Sequence, residues 1–164
     1  MFVKNGADVI KLVMVLFALA VSACDRTRVY FTPGPDCENN IIGAIGRAKT
    51  IDIAVYAITN ENIGNAIIAA HNRGANIRII TDRVQAANGA SLVPMFRASN
   101  IPVLTNRGYK IEHNKFAVFD GRSVVTGSYN WTRNASLHNS ENCMFTTASV
   151  RDYAARFEYL WNIY

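Results

Sequence analysis

Cysteine is scarce in this 164-residue sequence, which has three, at positions 24, 37 and 143. No two are spaced as Cys-x-x-Cys and none clusters with histidine at metal-ligand spacing, which argues against a zinc site. Four prolines and ten glycines exclude a collagen-like or linker-dominated chain. Charge is modest too, at 18% of residues against 50% hydrophobic, so the chain can fill a core and is not a disordered tail. No low-complexity tract divides it, and its length is that of about one domain. A membrane-spanning run of ~20 apolar residues is also missing, since the stretch from Leu12 to Ala23 is far shorter.

What is present begins with a basic balance, 17 Lys and Arg against 12 Asp and Glu, for a formal charge of +5. This suits an anionic partner such as nucleic acid or phospholipid, and equally a merely soluble surface. At the N-terminus, Lys4 and Lys11 precede the apolar run, and the small residues Ser22 and Ala23 close it. A basic start, a short apolar stretch and a small-residue exit are the features of a secretory signal. The expected division is a signal or lipoprotein signal over 1–23 and a working domain over 24–164, exported to a bacterial periplasm or secreted. Val21-Ser22-Ala23-Cys24 resembles a lipobox, in which Cys24 carries a lipid anchor. Simple cleavage after Ala23 and a retained N-terminal helix remain open beside it. Loss of two lysines and one aspartate leaves a net +4. In an oxidising compartment Cys37 and Cys143 are a candidate disulfide, and two free buried thiols are the alternative.

Along the rest of the chain, strand-like and helix-like stretches alternate. Val29–Thr32, Ile51–Tyr56, Ile77–Ile80 and Ile101–Leu104 read as strands. Helices carry Ile41, Ile42 and Ile45, then Ile63, Ile67 and Ile68, then Leu92 to Ala98. Three closely connected strands follow at Lys115–Phe119, Ser123–Thr126 and Asn142–Thr146, and a helix from Val150 to Trp161 closes the chain. Alternation of this kind predicts βαβ units, and the tight later connections predict antiparallel additions. The expected fold is α/β, a mixed, largely parallel sheet sandwiched between helices.

Chemistry concentrates in Ile111-Glu112-His113-Asn114-Lys115-Phe116-Ala117-Val118-Phe119-Asp120 and in Gly127-Ser128-Tyr129-Asn130. His113 and Lys115, two apart, share one face of an extended segment, and so do Ser128 and Asn130. Side by side they offer an imidazole, an ammonium, a hydroxyl and an amide. Such groups suit a tetrahedral phosphate: lysine supplies charge, Ser and Asn donate hydrogen bonds, and His attacks or delivers a proton. Taken singly, each has an ordinary reading as a loop, strand or turn residue.

The spacing His113-x-Lys115-(x)4-Asp120-(x)6-Gly127-Ser128-x-Asn130 resembles the HKD motif of the phospholipase D superfamily, and Glu141 falls where that family has an active-site Glu. The resemblance implies an α/β/α sandwich and metal-independent, cofactor-free phosphodiester cleavage through a phosphohistidine. It also implies a catalytic set of His113, Lys115, Asp120 and Glu141, with Lys115, Ser128 and Asn130 binding substrate. Asp120 would act structurally, orienting charge at its turn. There is one HKD motif per chain. Arg73 and Arg78 stand where a second copy after His71 needs Lys and Asp, and His138-Asn139-Ser140 has no cation. Family members with one motif pair as homodimers, and small bacterial ones are endonucleases of little sequence preference. The expected substrate is therefore DNA, with RNA second. Arg83, Arg107, Lys110, Arg122 and Arg133 are candidate phosphate contacts, and Tyr109, Tyr129 and Trp131 candidate stacking groups. A phospholipid hydrolase or transphosphatidylase is the alternative, weighed down by the lack of a long apolar loop. A catalytically silent nucleic-acid-binding dimer is the third reading.

Overall fold

The computed structural model describes residues 25–164, so the expected signal segment and Cys24 lie outside the described residues. The elements are β1 (Thr27–Phe31), α1 (Asp36–Arg47), β2 (Thr50–Val55), α2 (Glu61–Asn72), β3 (Asn76–Thr81), α3 (Arg83–Ala86), α4 (Val93–Ala98), β4 (Val103–Thr105), β5 (Lys115–Phe119), β6 (Ser123–Gly127), α5 (Arg133–Leu137), β7 (Asn142–Thr146) and α6 (Val150–Ile163). The seven strands form one sheet in the order β1-β7-β6-β5-β2-β3-β4.

The sheet is mixed, as expected, but mostly antiparallel. Only the β2–β3 and β3–β4 pairs, each joined through helices, are parallel. The β5–β2, β5–β6, β6–β7 and β7–β1 pairs run antiparallel. The expectation of a largely parallel sheet fails at β1, which returns to the far edge and pairs with β7 rather than continuing the βαβ series.

Alternation along the central strands feeds two cores. Ile51, Ile53 and Val55 of β2 and Ala117 and Phe119 of β5 pack with Ile41 and Ile45 of α1 and Ile63 and Ile67 of α2. The opposite faces of the same strands, with Ala54, Phe116 and Val118, pack under Val150, Phe157 and Leu160 of α6. Burial on both faces explains why these strands read as nearly continuous apolar runs. Asn60 caps α2, its side-chain oxygen accepting from the amides of Asn62 and Ile63. Among the described residues no helix is long and apolar enough to cross a membrane.

Cys37, in the first turn of α1, and Cys143, in β7, form a disulfide with Cα atoms 5.9 Å apart. That resolves the alternative of two free thiols left open by the sequence. Arg78 clamps β3 to α6: it donates to Asp52 and Glu158 and lies 4.9 Å over the Phe157 ring.

The β5–β6 connection is a tight three-residue turn, Asp120 to Arg122, in which Asp120 (φ 53°) and Gly121 (φ 60°) are both left-handed and the Arg122 amide donates to the Phe119 carbonyl. Asp120 also ties the hairpin to the start of β2, its Oδ1 accepting from the amides of Lys49 (2.8 Å) and Thr50 (2.9 Å). Burial pushes its carboxyl up, but these amides and the nearby Arg122 outweigh that and hold it below the ordinary carboxylate range. A depressed folded-state value means its stabilisation is complete above the unfolded pKa and is lost as pH falls through the folded one. Asp120→Ala should cost about 2 kcal/mol, from the lost acceptor and a left-handed Ala. Asp120→Asn should cost less. Denaturant unfolding at neutral pH checks both, and the Ala penalty should shrink in acid.

Candidate active site

Antiparallel registration brings one end of four strands together. Val55 pairs with Lys115, Phe116 with Thr126, and Gly127 with Cys143. The residues just beyond these pairs (Tyr56, His113, Ser128 and Glu141) therefore gather at one end of the sheet. His113 lies one residue outside the regular part of the strand, exposed, and its ring meets Tyr56 edge-on at 4.7 Å between centroids. Lys115 Nζ donates to the His113 carbonyl at 2.8 Å and lies 5.1 Å over the Tyr56 ring. Burial pushes the Lys115 ammonium below the ordinary lysine range, and the charges of Glu141 and Glu112 offset part of that push.

Ser128 is pinned to β7 from both sides: its amide donates to the Asn142 carbonyl and its Oγ accepts from the Asn142 amide, each at 3.1 Å. Gly127 makes this approach possible. Its φ is 149°, and a Cβ there would run into the Asn142 carbonyl. Glu141 is held by Thr32, whose Oγ1 accepts from the Glu141 amide at 3.0 Å, and by Asn139, which donates to its Oε1. Asn130 Oδ1 is buried and has no hydrogen-bond partner within the described residues.

The sequence-expected set thus divides. His113, Lys115, Ser128, Asn130 and Glu141 come to one end of the sheet. Asp120 does not join them, because it sits at the other end of β5, about 20 Å away at ~3.3 Å per residue. The motif counts it in the catalytic set with a structural role at its turn, and that turn is where it lies, away from the groups at the site end. Arg122, beside it, is likewise remote, whereas Arg83, at the start of α3, and Arg107 and Lys110, on the loop after β4, are exposed at the site end. Of the proposed stacking residues, Trp131 and Tyr129 are 1% and 2% exposed. Trp131 anchors the loop after β6 to Ala57–Asn60, and the Tyr129 hydroxyl bonds Ser136, so neither offers a face to a base. Only Tyr109 is exposed.

Two neighbours carried no motif signal. Tyr56 reaches His113 only through the β2–β5 pairing. Glu112 was visible beside His113 but its partner, Tyr164, is 52 residues away. A cavity of about 410 Å³ lies between α1, α2 and α5, lined among others by Glu38, Asn60 and Asn62, and of the sequence-expected residues it is Arg133, a candidate phosphate contact, that lines it. The candidate site is an open edge instead. Among the described residues no group of three His, Cys, Asp or Glu is gathered as a metal site.

A mixed sheet between helical layers, with an imidazole, an ammonium, a hydroxyl and an amide at the end of its central hairpin, defines the phospholipase D type of domain. The chain belongs to the family described as "Cardiolipin synthase, PLD-like domain", whose pattern matches residues 41–161. It is 33% identical over 144 residues to a mitochondrial cardiolipin hydrolase of Chlamydomonas reinhardtii, covering 86% of this chain and 65% of that protein. It is 30% identical over 145 residues to a phospholipase D of Rickettsia conorii, covering 87% and 70%. The fold superposes on Nuc, a phospholipase D family member from Salmonella typhimurium, with a TM-score of 0.79 and 28% identity over 84% of this chain and 95% of that one. The chain spans 45% to 65% of the length of the mitochondrial cardiolipin hydrolases it matches.

Proposed function

We propose that the chain is a phosphodiesterase that cleaves nucleic acid without metal, at a site completed by a second copy of itself. The observation that carries the reading is the open edge holding His113 and Lys115, flanked by exposed Arg83, Arg107 and Lys110. An open basic edge accepts a long polyanion lying across it, where a closed pocket would select a small molecule.

An imidazole nitrogen of His113 attacks phosphorus, forming an N–P bond as the P–O bond to the leaving group breaks. The protonated His113 of the second copy gives its proton to the departing oxygen. That imidazole then takes a proton from water, whose oxygen attacks phosphorus and releases the first histidine. Lys115, Ser128 and Asn130 bind the non-bridging oxygens, and Glu141 orients an imidazole. One chain holds one such histidine, and two-fold pairing across this edge supplies the other with a single self-complementary surface. The exposure of His113 supports an edge finished from outside the chain.

A phospholipid substrate is the second reading, and a specific observation favours it. Phe31 (70% exposed), Val84 (67%), Ile111 (50%) and Leu137 (46%) stand out from the site end of the molecule. They come from four separate segments rather than from one long apolar loop, and relatives bear the names cardiolipin hydrolase and phospholipase D. Export is proposed with either substrate, supported by the basic, apolar N-terminal segment and by the disulfide, a bond that persists in oxidising compartments.

The test is purified protein on plasmid DNA and on anionic phospholipid vesicles, with chelator present throughout. The nuclease reading predicts nicked and linear plasmid with EDTA, weakening steeply between 50 and 200 mM salt as phosphate contacts release counterions, by roughly tenfold or more. Release of headgroup from vesicles with plasmid left intact overturns it in favour of the second reading.

A further inference from the structure

Glu112, immediately before His113, is 2% exposed and yet satisfied at every oxygen. Its Oε1 accepts from the backbone amide of Asn114 (3.1 Å) and from the Asn114 side chain (2.6 Å). Its Oε2 accepts from the Tyr164 hydroxyl, beyond the end of α6, at 2.7 Å. Its own amide donates to Oδ2 of Asp82 (3.1 Å), whose Oδ1 accepts from the first amides of α3. The bracket continues on the outer side, where Tyr109 packs edge-on against Tyr164 at 6.4 Å and Asn106 donates to the Tyr109 carbonyl. The three-residue segment carrying His113 is thus held at both flanks by one carboxylate, and that carboxylate is fastened to the helix on the far face of the sheet.

We infer that Glu112, locked by Asn114 and Tyr164, is a positioning residue that fixes the His113 loop ahead of Lys115. A buried carboxylate is costly unless fully hydrogen-bonded, so this one is poorly explained as filler. Its three donors are what make it tolerable, and two of them belong to the residue that follows His113. Tyr164 is the third, and burial beside the Glu112 charge pushes its phenol well above the ordinary tyrosine range, keeping it a donor at any working pH.

The same charge reaches Lys115. The groups facing that ammonium are Glu141 beside β7, Glu112 on its own segment, the Tyr56 ring beyond β2 and the His113 carbonyl. Burial lowers the ammonium's pKa and the two carboxylates restore part of it. Removing the Glu112 charge should therefore let Lys115 lose its proton at lower pH. Placement matters separately, since a displacement of about 1 Å at a reacting group can cost ~10²-fold in rate.

This inference rests on His113 and Lys115 being the reacting and phosphate-binding groups, but not on which macromolecule is cut. The test uses the full chain and bis(p-nitrophenyl) phosphate, comparing Glu112→Gln, Tyr164→Phe and His113→Ala. Glutamine keeps the shape and can donate to a reversed Tyr164 hydroxyl, so Glu112→Gln removes mainly the charge. It should lower kcat by about 10- to 100-fold with KM within about threefold, and move the alkaline limb of kcat/KM to lower pH. Tyr164→Phe should lower kcat by about five- to tenfold and leave that limb in place, since the carboxylate stays charged. Activity within twofold of the starting protein in both variants, with His113→Ala inactive, overturns the inference alone. So does a loss in Glu112→Gln that follows a lowered Tm with the alkaline limb unmoved. Full hydrolysis by His113→Ala overturns both the inference and the functional reading beneath it.

Discussion

Replacement of His113 by alanine should abolish phosphodiester cleavage, lowering the rate by at least about 10⁴-fold while leaving the fold intact. The size follows from the role. A nucleophile that forms the covalent intermediate has no substitute at its position, and removing such a group usually costs nearly the whole chemical acceleration. The fold should not suffer, because the His113 side chain is exposed and its one described ring contact is the edge of Tyr56. Circular dichroism and Tm should match the parent while plasmid remains supercoiled. Binding should persist, since Lys115, Arg83, Arg107 and Lys110 are untouched. A His113→Ala protein that still cuts would move the chemistry to another group.

Removal of the Cys37–Cys143 disulfide should produce the largest change in stability. The two cysteines are 106 residues apart in sequence, so the bond closes most of the described chain into one loop. By the chain-entropy argument a loop of that length is worth about 4 to 5 kcal/mol, a large share of the ~5–15 kcal/mol that holds a domain folded. It joins the first turn of α1 to β7, the strand that carries Asn142 against Ser128. The double Cys→Ala variant should unfold at a denaturant midpoint lower by an amount equivalent to about 4 kcal/mol, and its Tm should fall by roughly 12 °C. Activity at low temperature should survive. A loss under 1 kcal/mol would mean that the unfolded state is not constrained by this link.

The residues that could be read in sequence were those whose geometry is local. Lys115–Phe119 and Asn142–Thr146 were placed to the residue because a short apolar run and the polar or turn residues beside it define both ends locally. The parity of His113 with Lys115 carried to the structure for the same reason. Helices α3 and α5, of four and five residues, were missed because a single turn has no periodicity to detect. What depends on pairing was beyond reach. The antiparallel return of β1 to β7 joins opposite ends of the described chain, and Tyr56 meets His113 only because β2 and β5 are neighbours. Trp131 and Tyr129 are aromatic and near the motif, which is all a sequence tells. The loop of Ala57–Asn60 bonds across Trp131, and Tyr129 is tied to Asn142 and Ser136, partners distant in sequence or reached only in the fold. Asp120 is the instructive case: spacing made it part of the motif, while strand length sends it to the opposite end of the sheet, where it secures a turn.

The claim on which the rest depends is that two copies of this chain share one active site through His113. Mixing parent and His113→Ala chains in varied ratio at constant total concentration, after subunit exchange, tests it directly. If each site needs both histidines, plasmid cleavage should fall as the square of the parent fraction, to about one quarter in an equal mixture. A linear fall, to one half, would show that each chain works with its own histidine and would contradict the shared site.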